Sequence, residues 1–204
     1  MCSSLYKLKR DFYIRPTLEV ARELLGCILI HHTADGVTAG KIVEVEAYIG
    51  PDDAAAHSYN NRPSTRTMIQ YGIGGHAYIY LIYGMHYCMN VVTGEKGKPE
   101  SILIRALEPT MGIAYMKQRR HTEKTGNLCN GPGKLCAALK IDKTCYGEDL
   151  CGNKLYIVQE GKPLSRDDII ADKRINVAYA GKAKDYEWRF LIRNNPFVSV
   201  KPKR

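Results

Sequence analysis

Three short apolar runs follow one another closely in the middle of the chain, and their spacing constrains the fold more than any other feature. The runs are Ala77–Tyr83, Tyr87–Thr93 and Ser101–Leu107, and the turns between them are supplied by Gly84 and the Gly94–Pro99 stretch. Connections this short join antiparallel strands, because a parallel crossover needs a dozen or more residues. The sequence therefore predicts an antiparallel sheet at the centre of the protein.

Helices and further strands surround these runs. Helices are predicted over Thr17–Leu25, from Pro109 onward and over Pro132–Leu139, and strands over Cys27–His31, Lys41–Tyr48, Tyr156–Val158 and Trp188–Ile192. The helix after Pro109 is expected to bury Met111, Ala114 and Tyr115. No composition break divides the 204 residues. We predict an α+β fold: one compact domain over residues 1–204, a mainly antiparallel curved sheet with surrounding helices, and loose ends at 1–12 and 201–204.

The strand Lys41–Tyr48 alternates between two kinds of side chain. One face is apolar and holds Val43, Val45 and Ala47. The other face holds Ile42, Glu44, Glu46 and Tyr48. Residues two apart on a strand are about 6.5 Å apart, so Glu44 and Glu46 can border one site. The pattern allows two interpretations: a solvated strand face, or a cleft in which Glu46 is a general base with Glu44 as a second carboxylate or structural partner.

The charge balance points to a polyanionic partner. Lys and Arg number 30 against 21 Asp and Glu, which gives a net charge of +9. The excess is concentrated between Lys117 and Lys143 and in the tail after Glu187. No apolar stretch approaches the roughly 20 residues that a bilayer requires, and no export signal opens the chain. We therefore expect no membrane association and a cytoplasmic location.

Seven cysteines raise the question of a metal. Four of them cluster late in the chain, at Cys129, Cys136, Cys145 and Cys151. None of the gaps between them is the short knuckle that structural zinc takes, and Cys136 lies in an apolar stretch. An odd number of cysteines without an export signal favours reduced thiols. We predict no metal and no cofactor, and keep a zinc-dependent hydrolase as an alternative.

Aromatic side chains are the second candidates for a binding site. Tyrosines number 14 against three Phe and one Trp, and Tyr78, Tyr80 and Tyr83 lie close together. Hydroxyl-bearing rings in a cleft can stack on bases and form hydrogen bonds, although a tyrosine-rich core is the simpler interpretation. His57 follows three alanines in a turn, where a structural role is more common than acid–base catalysis.

Several motifs in order resemble one enzyme family. They are Val43–Tyr48, Ala56–Ser58, Gly75–Tyr80, Tyr83–Met85, Asn90, Leu103–Pro109 and Asn130–Leu135. Together they resemble the alkyladenine (3-methyladenine) DNA glycosylases, and the resemblance extends from about Leu18 to Val200. It implies a base-excision-repair enzyme that flips alkylated or deaminated purines out of double-stranded DNA. Such an enzyme hydrolyses the N-glycosidic bond and leaves an abasic site.

The resemblance also implies roles for individual residues. Glu46 matches the general base that activates water for attack on the sugar C1′, and Arg105 matches the arginine that helps to hold this water. Lys134 matches a position that meets phosphate or shapes the pocket. No lysine matches a nucleophile, so the resemblance implies a monofunctional enzyme. It also implies a monomer that works next to chromosomal DNA, in the nucleus if the source is eukaryotic.

Base recognition is implied for a second group of residues. Tyr48, His57 and Tyr80 match the rings that sandwich the extruded base, and the backbone amide of His57 matches the one that meets the purine edge. Asn90 matches the side chain that crowds the exocyclic amine of guanine. Tyr83 matches the wedge that intercalates where the base has left. A non-catalytic nucleic-acid-binding module, using the same tyrosines and basic surface, is the alternative to this enzyme.

The chain departs from the family pattern in the loop after Arg66. Thr67 stands where the family often has Asn, and Gln70 with Tyr71 stands where a Met-aromatic pair is expected. We expect these changes to affect how the loop packs beside the extruded nucleotide, and with it the substrate range or the efficiency of flipping.

Overall fold

The computed structural model describes residues 5–202. Its strands are β1 Leu5–Lys7, β2 Ile28–Thr33, β3 Gly36–Ile49, β4 Ala77–Ile82, β5 His86–Thr93, β6 Glu100–Met111, β7 Leu155–Glu160, β8 Ile169–Asp172 and β9 Arg189–Ile192. Its α-helices are α1 Arg10–Tyr13, α2 Thr17–Leu24, α3 Ile113–Arg120 and α4 Pro132–Leu139. Short 3₁₀ turns cover Tyr59–Asn61, Met68–Tyr71, Thr125–Asn127, Lys143–Cys145, Arg166–Asp168 and Gly181–Asp185.

The strands form one antiparallel sheet. Its order is β1-β7-β2-β3-β6-β5-β4, while β9 pairs with β3 and β8 pairs with β9. The central ladder joins β3 to β6, and β6, β5 and β4 follow as consecutive neighbours, as the short turns between them require. Helices α2 and α4 pack apolar side chains into the main core, among them Leu24 and Leu135. The predicted α+β fold with an antiparallel sheet is confirmed.

A β-bulge interrupts the alternation of β3. The pairing with β6 shifts between Ile42 and Glu44, so Val43 is an extra residue in the ladder. Ile42 consequently joins the main core together with Val45 and Ala47, whereas Val43 lies in a separate apolar cluster. The prediction that Val43 shares a face with Val45 and Ala47 is therefore wrong. Both faces of this part of β3 are buried.

Two further predictions about elements are wrong. Pro109 does not begin a helix but lies in β6 opposite Gly40, next to a register shift where a missing N–H is tolerated. Helix α3 begins at Ile113 and buries Met116, while Met111 and Tyr115 are exposed.

Residues 5–12 belong to the end that the sequence predicts to be loose, but the structure holds them against the rest of the fold. Residues 5–7 pair with β7, and Leu8 is buried in the core. Helix α1 follows directly. Residues 201–202 belong to no helix or strand, and residues 1–4 and 203–204 lie outside the described part of the chain.

The cysteines of the described residues are free thiols. Cys129, Cys136 and Cys145 are buried as free thiols, and Cys151 is half-buried. Within residues 5–202, no three His, Cys, Asp or Glu side chains are grouped so that they could hold a metal ion. Within the same residues, no helix is both long and apolar enough to cross a membrane.

The passage from β6 to α3 depends on Gly112. This residue adopts φ +71°, and an added Cβ would overlap the Val37 carbonyl oxygen. We expect Gly112→Ala to lower the free energy of unfolding by about 2–4 kcal/mol, measured by chemical denaturation. The strain of an alanine in the left-handed region adds to the cost of the overlap between its Cβ and the Val37 carbonyl oxygen. Gly126→Ala is the control, since no atom of the described part of the chain lies within 4 Å of its added Cβ. Equal stability of the two variants would contradict this account of the turn.

Candidate active site

A cavity of about 340 Å³ opens on one side of strands β4–β6. Six of the predicted site residues line it: Tyr48, His57, Tyr80, Tyr83, Asn90 and Arg105. Further wall residues include Gln70, Tyr78, Ser101, Leu103, Ile175 and Tyr179. The structure thus brings together side chains that are distant in the sequence: Tyr48 and Arg105 are 57 positions apart.

Glu46 lies directly behind the cavity wall. Its side chain is fully buried, and it does not itself line the cavity. Oε2 accepts hydrogen bonds from the Tyr48 hydroxyl at 2.7 Å and from Arg105 Nη1 at 3.2 Å. Oε1 accepts from the Ile175 backbone amide at 2.6 Å. All three donors belong to residues that line the cavity, so the carboxylate is separated from it by its own hydrogen-bond partners.

Glu44 anchors the back of the site. Its carboxylate accepts from Arg105 Nε at 3.1 Å and from Arg189 Nη1 at 3.0 Å. Ser199 adds its backbone amide at 2.5 Å and its hydroxyl at 2.9 Å. Glu44 is fully buried, and it does not line the cavity. The burial of both carboxylates contradicts the interpretation as a solvated strand face, and the contacts of Glu44 favour a structural partner over a second carboxylate of the site.

Arg105 bridges the two carboxylates. Burial by itself would lower the pKa of Arg105, but the charges of Glu46 and Glu44 outweigh it, and the pKa is raised. The guanidinium therefore stays charged and compensates the buried carboxylates. The pKa of Tyr48 is also raised, first by burial and then by Glu46, so its hydroxyl remains a donor to Glu46.

Aromatic rings make up much of the cavity wall. The rings of His57 and Tyr80 meet edge to face with their centroids 4.7 Å apart, and Tyr78 lies 5.4 Å from Tyr80. His57 Nδ1 lies 2.8 Å from the Tyr78 hydroxyl. The guanidinium of Arg66 lies over the Tyr80 ring at 4.8 Å and reaches His57 Nε2 at 2.7 Å. Burial and the charge of Arg66 lower the pKa of His57 to about 4.

The mouth of the cavity carries an exposed tyrosine. Tyr83 adopts φ +54° in the turn between β4 and β5, and it is 73% exposed. A bulky residue in the left-handed region is uncommon, and the turn directs it out of the sheet. Tyr179 on the opposite segment is also exposed, and it too lines the cavity.

The floor is polar and buried. Asn90 donates from Nδ2 to the Tyr78 carbonyl at 3.2 Å, and Gln70 donates from Nε2 to Ser101 Oγ at 2.9 Å. Gln70, one of the residues that differ from the family pattern, therefore lies in the cavity lining. Thr67 instead closes a local turn, where its hydroxyl accepts from the Ser64 amide.

Lys134 lies near the cavity but outside its wall. Its Nζ donates to Asn130 Oδ1 at 2.9 Å. The neighbouring Pro132 and Gly133, in the first turn of α4, are the residues that line the cavity. The motif around Lys134 thus contributes Pro132 and Gly133 to the wall.

The sequence analysis does not predict the buried ion pair that lies behind Tyr48. Arg174 is fully buried with Asp53 and donates two hydrogen bonds to it, at 2.5 and 2.8 Å. Its guanidinium also lies 4.8 Å from the Tyr48 ring centroid and 5.1 Å from that of Trp188. The next residue is Ile175, which donates to Glu46. Nothing in the sequence pairs an arginine with an aspartate 121 positions away.

Known proteins match this chain over most of its length. The family described as methylpurine-DNA glycosylase matches residues 11–196. The chain belongs to this family. It is 48% identical to a protein of Alkaliphilus oremlandii over 96% of this chain and 100% of the relative. It is 52% identical to one of Bacillus cytotoxicus over 95% and 99%, and 47% identical to one of Desulfitobacterium hafniense over 96% and 99%.

The three relatives are provisionally named 3-methyladenine DNA glycosylases. The family predicted from the motifs is thus confirmed, and the protein is a DNA glycosylase that acts in DNA repair. Family membership also favours an enzyme over the non-catalytic binding module.

The state of His57 can be measured directly. We expect its ring to titrate by NMR with a midpoint of about 4, because burial and Arg66 disfavour the protonated form. The ring is then neutral at pH 6–8. Arg66→Ala should raise the midpoint but leave it below 6.5, since burial remains, whereas Arg62→Ala should not move it. A wild-type midpoint near 6.5 would contradict the packing around this ring.

Proposed function

We propose that the protein, acting as a monomer on double-stranded DNA, extrudes an alkylated purine into the cavity and hydrolyses its N-glycosidic bond. The observation that carries this proposal is the buried Glu46 carboxylate, held by three donors that line an aromatic cavity. A carboxylate in such a position can activate water next to a base that is stacked on the rings.

Glu46 retains capacity for one further donor. An ionised carboxylate offers about four acceptor positions, and three are used by Tyr48, Arg105 and Ile175. The remaining position lies on Oε1, which among residues 5–202 accepts from the Ile175 amide alone. We assign it to a water molecule. Arg105 fixes the orientation of the carboxylate and helps to hold this water.

The reaction needs no further group. The water oxygen attacks C1′ while the bond between C1′ and the base breaks, and the bond electrons leave with the base. Glu46 takes the water proton. Positive charge that develops on the sugar is stabilised by the nearby carboxylate. Of the described residues that line the cavity, none is a lysine, in keeping with hydrolysis without a Schiff-base intermediate.

The cavity chemistry favours alkylated bases. A purine alkylated on a ring nitrogen carries a positive charge, which makes it a good leaving group and attracts it to electron-rich rings. We assign the base to the space between Tyr48 and the His57–Tyr80 pair. A neutral His57 does not repel the cation, and its backbone amide meets the purine edge. Asn90 narrows the floor against the exocyclic amine of guanine.

Extrusion requires compensation for lost stacking. Removing a base from a duplex costs a few kcal/mol, and least at a damaged pair. Tyr83, exposed at the cavity mouth, is placed to insert into the vacancy, and the basic surface holds the backbone.

Glu46→Gln tests the catalytic role. We expect base release to fall by about 10²–10⁴-fold in single-turnover assays, because an amide cannot take the water proton. Affinity for damaged duplex should change by less than about threefold. Glu123→Gln, on the exposed side chain that pairs with Lys117, is the control and should release base normally. Turnover of the Glu46 variant near that of wild type would remove Glu46 as the base.

Tyr83→Ser tests the wedge. Affinity for a duplex with an abasic site should fall about tenfold, since stacking of an aromatic side chain on a base is worth about 1–3 kcal/mol. Tyr6→Ser is the control: Tyr6 is also exposed, but it lies on β1, at the opposite end of the sheet from β4. Equal affinities of the two variants would show that Tyr83 does not enter the duplex.

A further inference from the structure

Gln70 presents a buried acceptor without a partner to the cavity. The side chain is 2% exposed, and its Nε2 donates to Ser101 Oγ at 2.9 Å. Its Oε1 accepts no hydrogen bond from any of the described residues. Leaving a buried acceptor unpaired costs free energy, so such groups call for an explanation. Because Gln70 lines the cavity, a donor on a bound molecule would satisfy it.

Glu46 and Gln70 contact different residues of strand β6. Arg105, Leu103 and Ser101 all line the cavity, and residues two apart on a strand share a face. Glu46 lies opposite Leu103 in the ladder between β3 and β6 and accepts a hydrogen bond from Arg105, whereas Gln70 donates one to Ser101. The two positions from Leu103 to Ser101 span about 6.5 Å.

This layout orients a purine. The atom of the base that carries the sugar must face Glu46, where the bond is broken. The edge opposite that atom is the C6–N1 edge of the six-membered ring. It therefore points along β6 toward Ser101 and Gln70.

We propose that Gln70 is a specificity-determining residue whose Oε1 accepts a hydrogen bond from the 6-amino group of an N-alkylated adenine. The inference rests on the proposed function, since it needs the purine in this cavity. The hydrogen bond of Nε2 to Ser101 holds the amide so that Oε1 is the free atom. A positively charged adenine has an acidified amino group, which makes this bond stronger than a neutral one.

Gln70 discriminates between purines with an amino group at C6 and purines with an oxygen at C6. Alkylated guanine has an oxygen at C6, which would bring two acceptors together at Oε1. A site built to pair with a donor rejects the analogue that lacks it. The departure of Gln70 from the family pattern thus sets a preference for alkylated adenine over alkylated guanine.

The test measures both bases in one reaction. DNA treated with a radiolabelled methylating agent contains 3-methyladenine and 7-methylguanine, and the initial rates of release of the two are compared after subtracting loss without enzyme. For Gln70→Met we expect 3-methyladenine release to fall about tenfold and 7-methylguanine release to change less than threefold. Leu103→Met, also in the cavity wall, is the matched control and should alter both releases by the same factor.

Ser101→Ala provides a second variant, because it removes the acceptor that orients the Gln70 amide. The ratio of 3-methyladenine to 7-methylguanine release should fall about threefold. An unchanged ratio in either folded variant, whether both releases fall together or neither falls, would overturn the role of Gln70. Release of neither base by the wild-type protein would instead overturn the proposed function itself. Thermal melting identifies any variant that fails to fold, and the other variant then decides.

Discussion

The site depends on one buried cation, Arg105, held between two buried carboxylates. Glu44 and Glu46 lie two positions apart on β3, and Arg105 reaches both from the neighbouring strand β6. Burying three charges is expensive unless each is paired and hydrogen-bonded. Glu44 also accepts hydrogen bonds from Arg189 and Ser199, which hold its carboxylate in place. From that position its negative charge compensates the positive charge of Arg105. Glu46 takes its other hydrogen bonds from Tyr48 and Ile175, which line the cavity.

The same network closes the protein around the site. The Ile175 amide reaches Glu46 from a segment between β8 and β9, and Arg174 beside it is fixed by the buried Asp53. Ser199 ties the carboxyl-terminal segment to Glu44. Residues from distant parts of the chain thus meet at two adjacent strands. Because breaking one member of a buried pair leaves a charge uncompensated, these contacts fix the cavity wall rather than merely cover it.

Local patterns in the sequence predicted the centre of the sheet and helix α4, because short turns and apolar periodicity depend only on neighbouring residues. They failed at Val43 and Pro109, since strict alternation cannot locate an extra residue, and strand pairing kept Pro109 out of a helix. Six residues implied by family resemblance line one cavity, although their roles remain proposals. The Arg174–Asp53 pair and the unpaired Gln70 oxygen exist only in three dimensions, so no spacing could have indicated them.

The central claim is that Glu46, through a single water molecule, acts on the sugar of an extruded purine. A crystal structure of Glu46→Gln with a duplex carrying a hydrolysis-resistant damaged purine tests it most directly. We expect the purine between Tyr48 and the His57–Tyr80 pair, with a water molecule about 3 Å from the side chain at position 46 and facing C1′. A purine in the cavity with no water in reach of position 46, or a purine left stacked in the duplex, would contradict it.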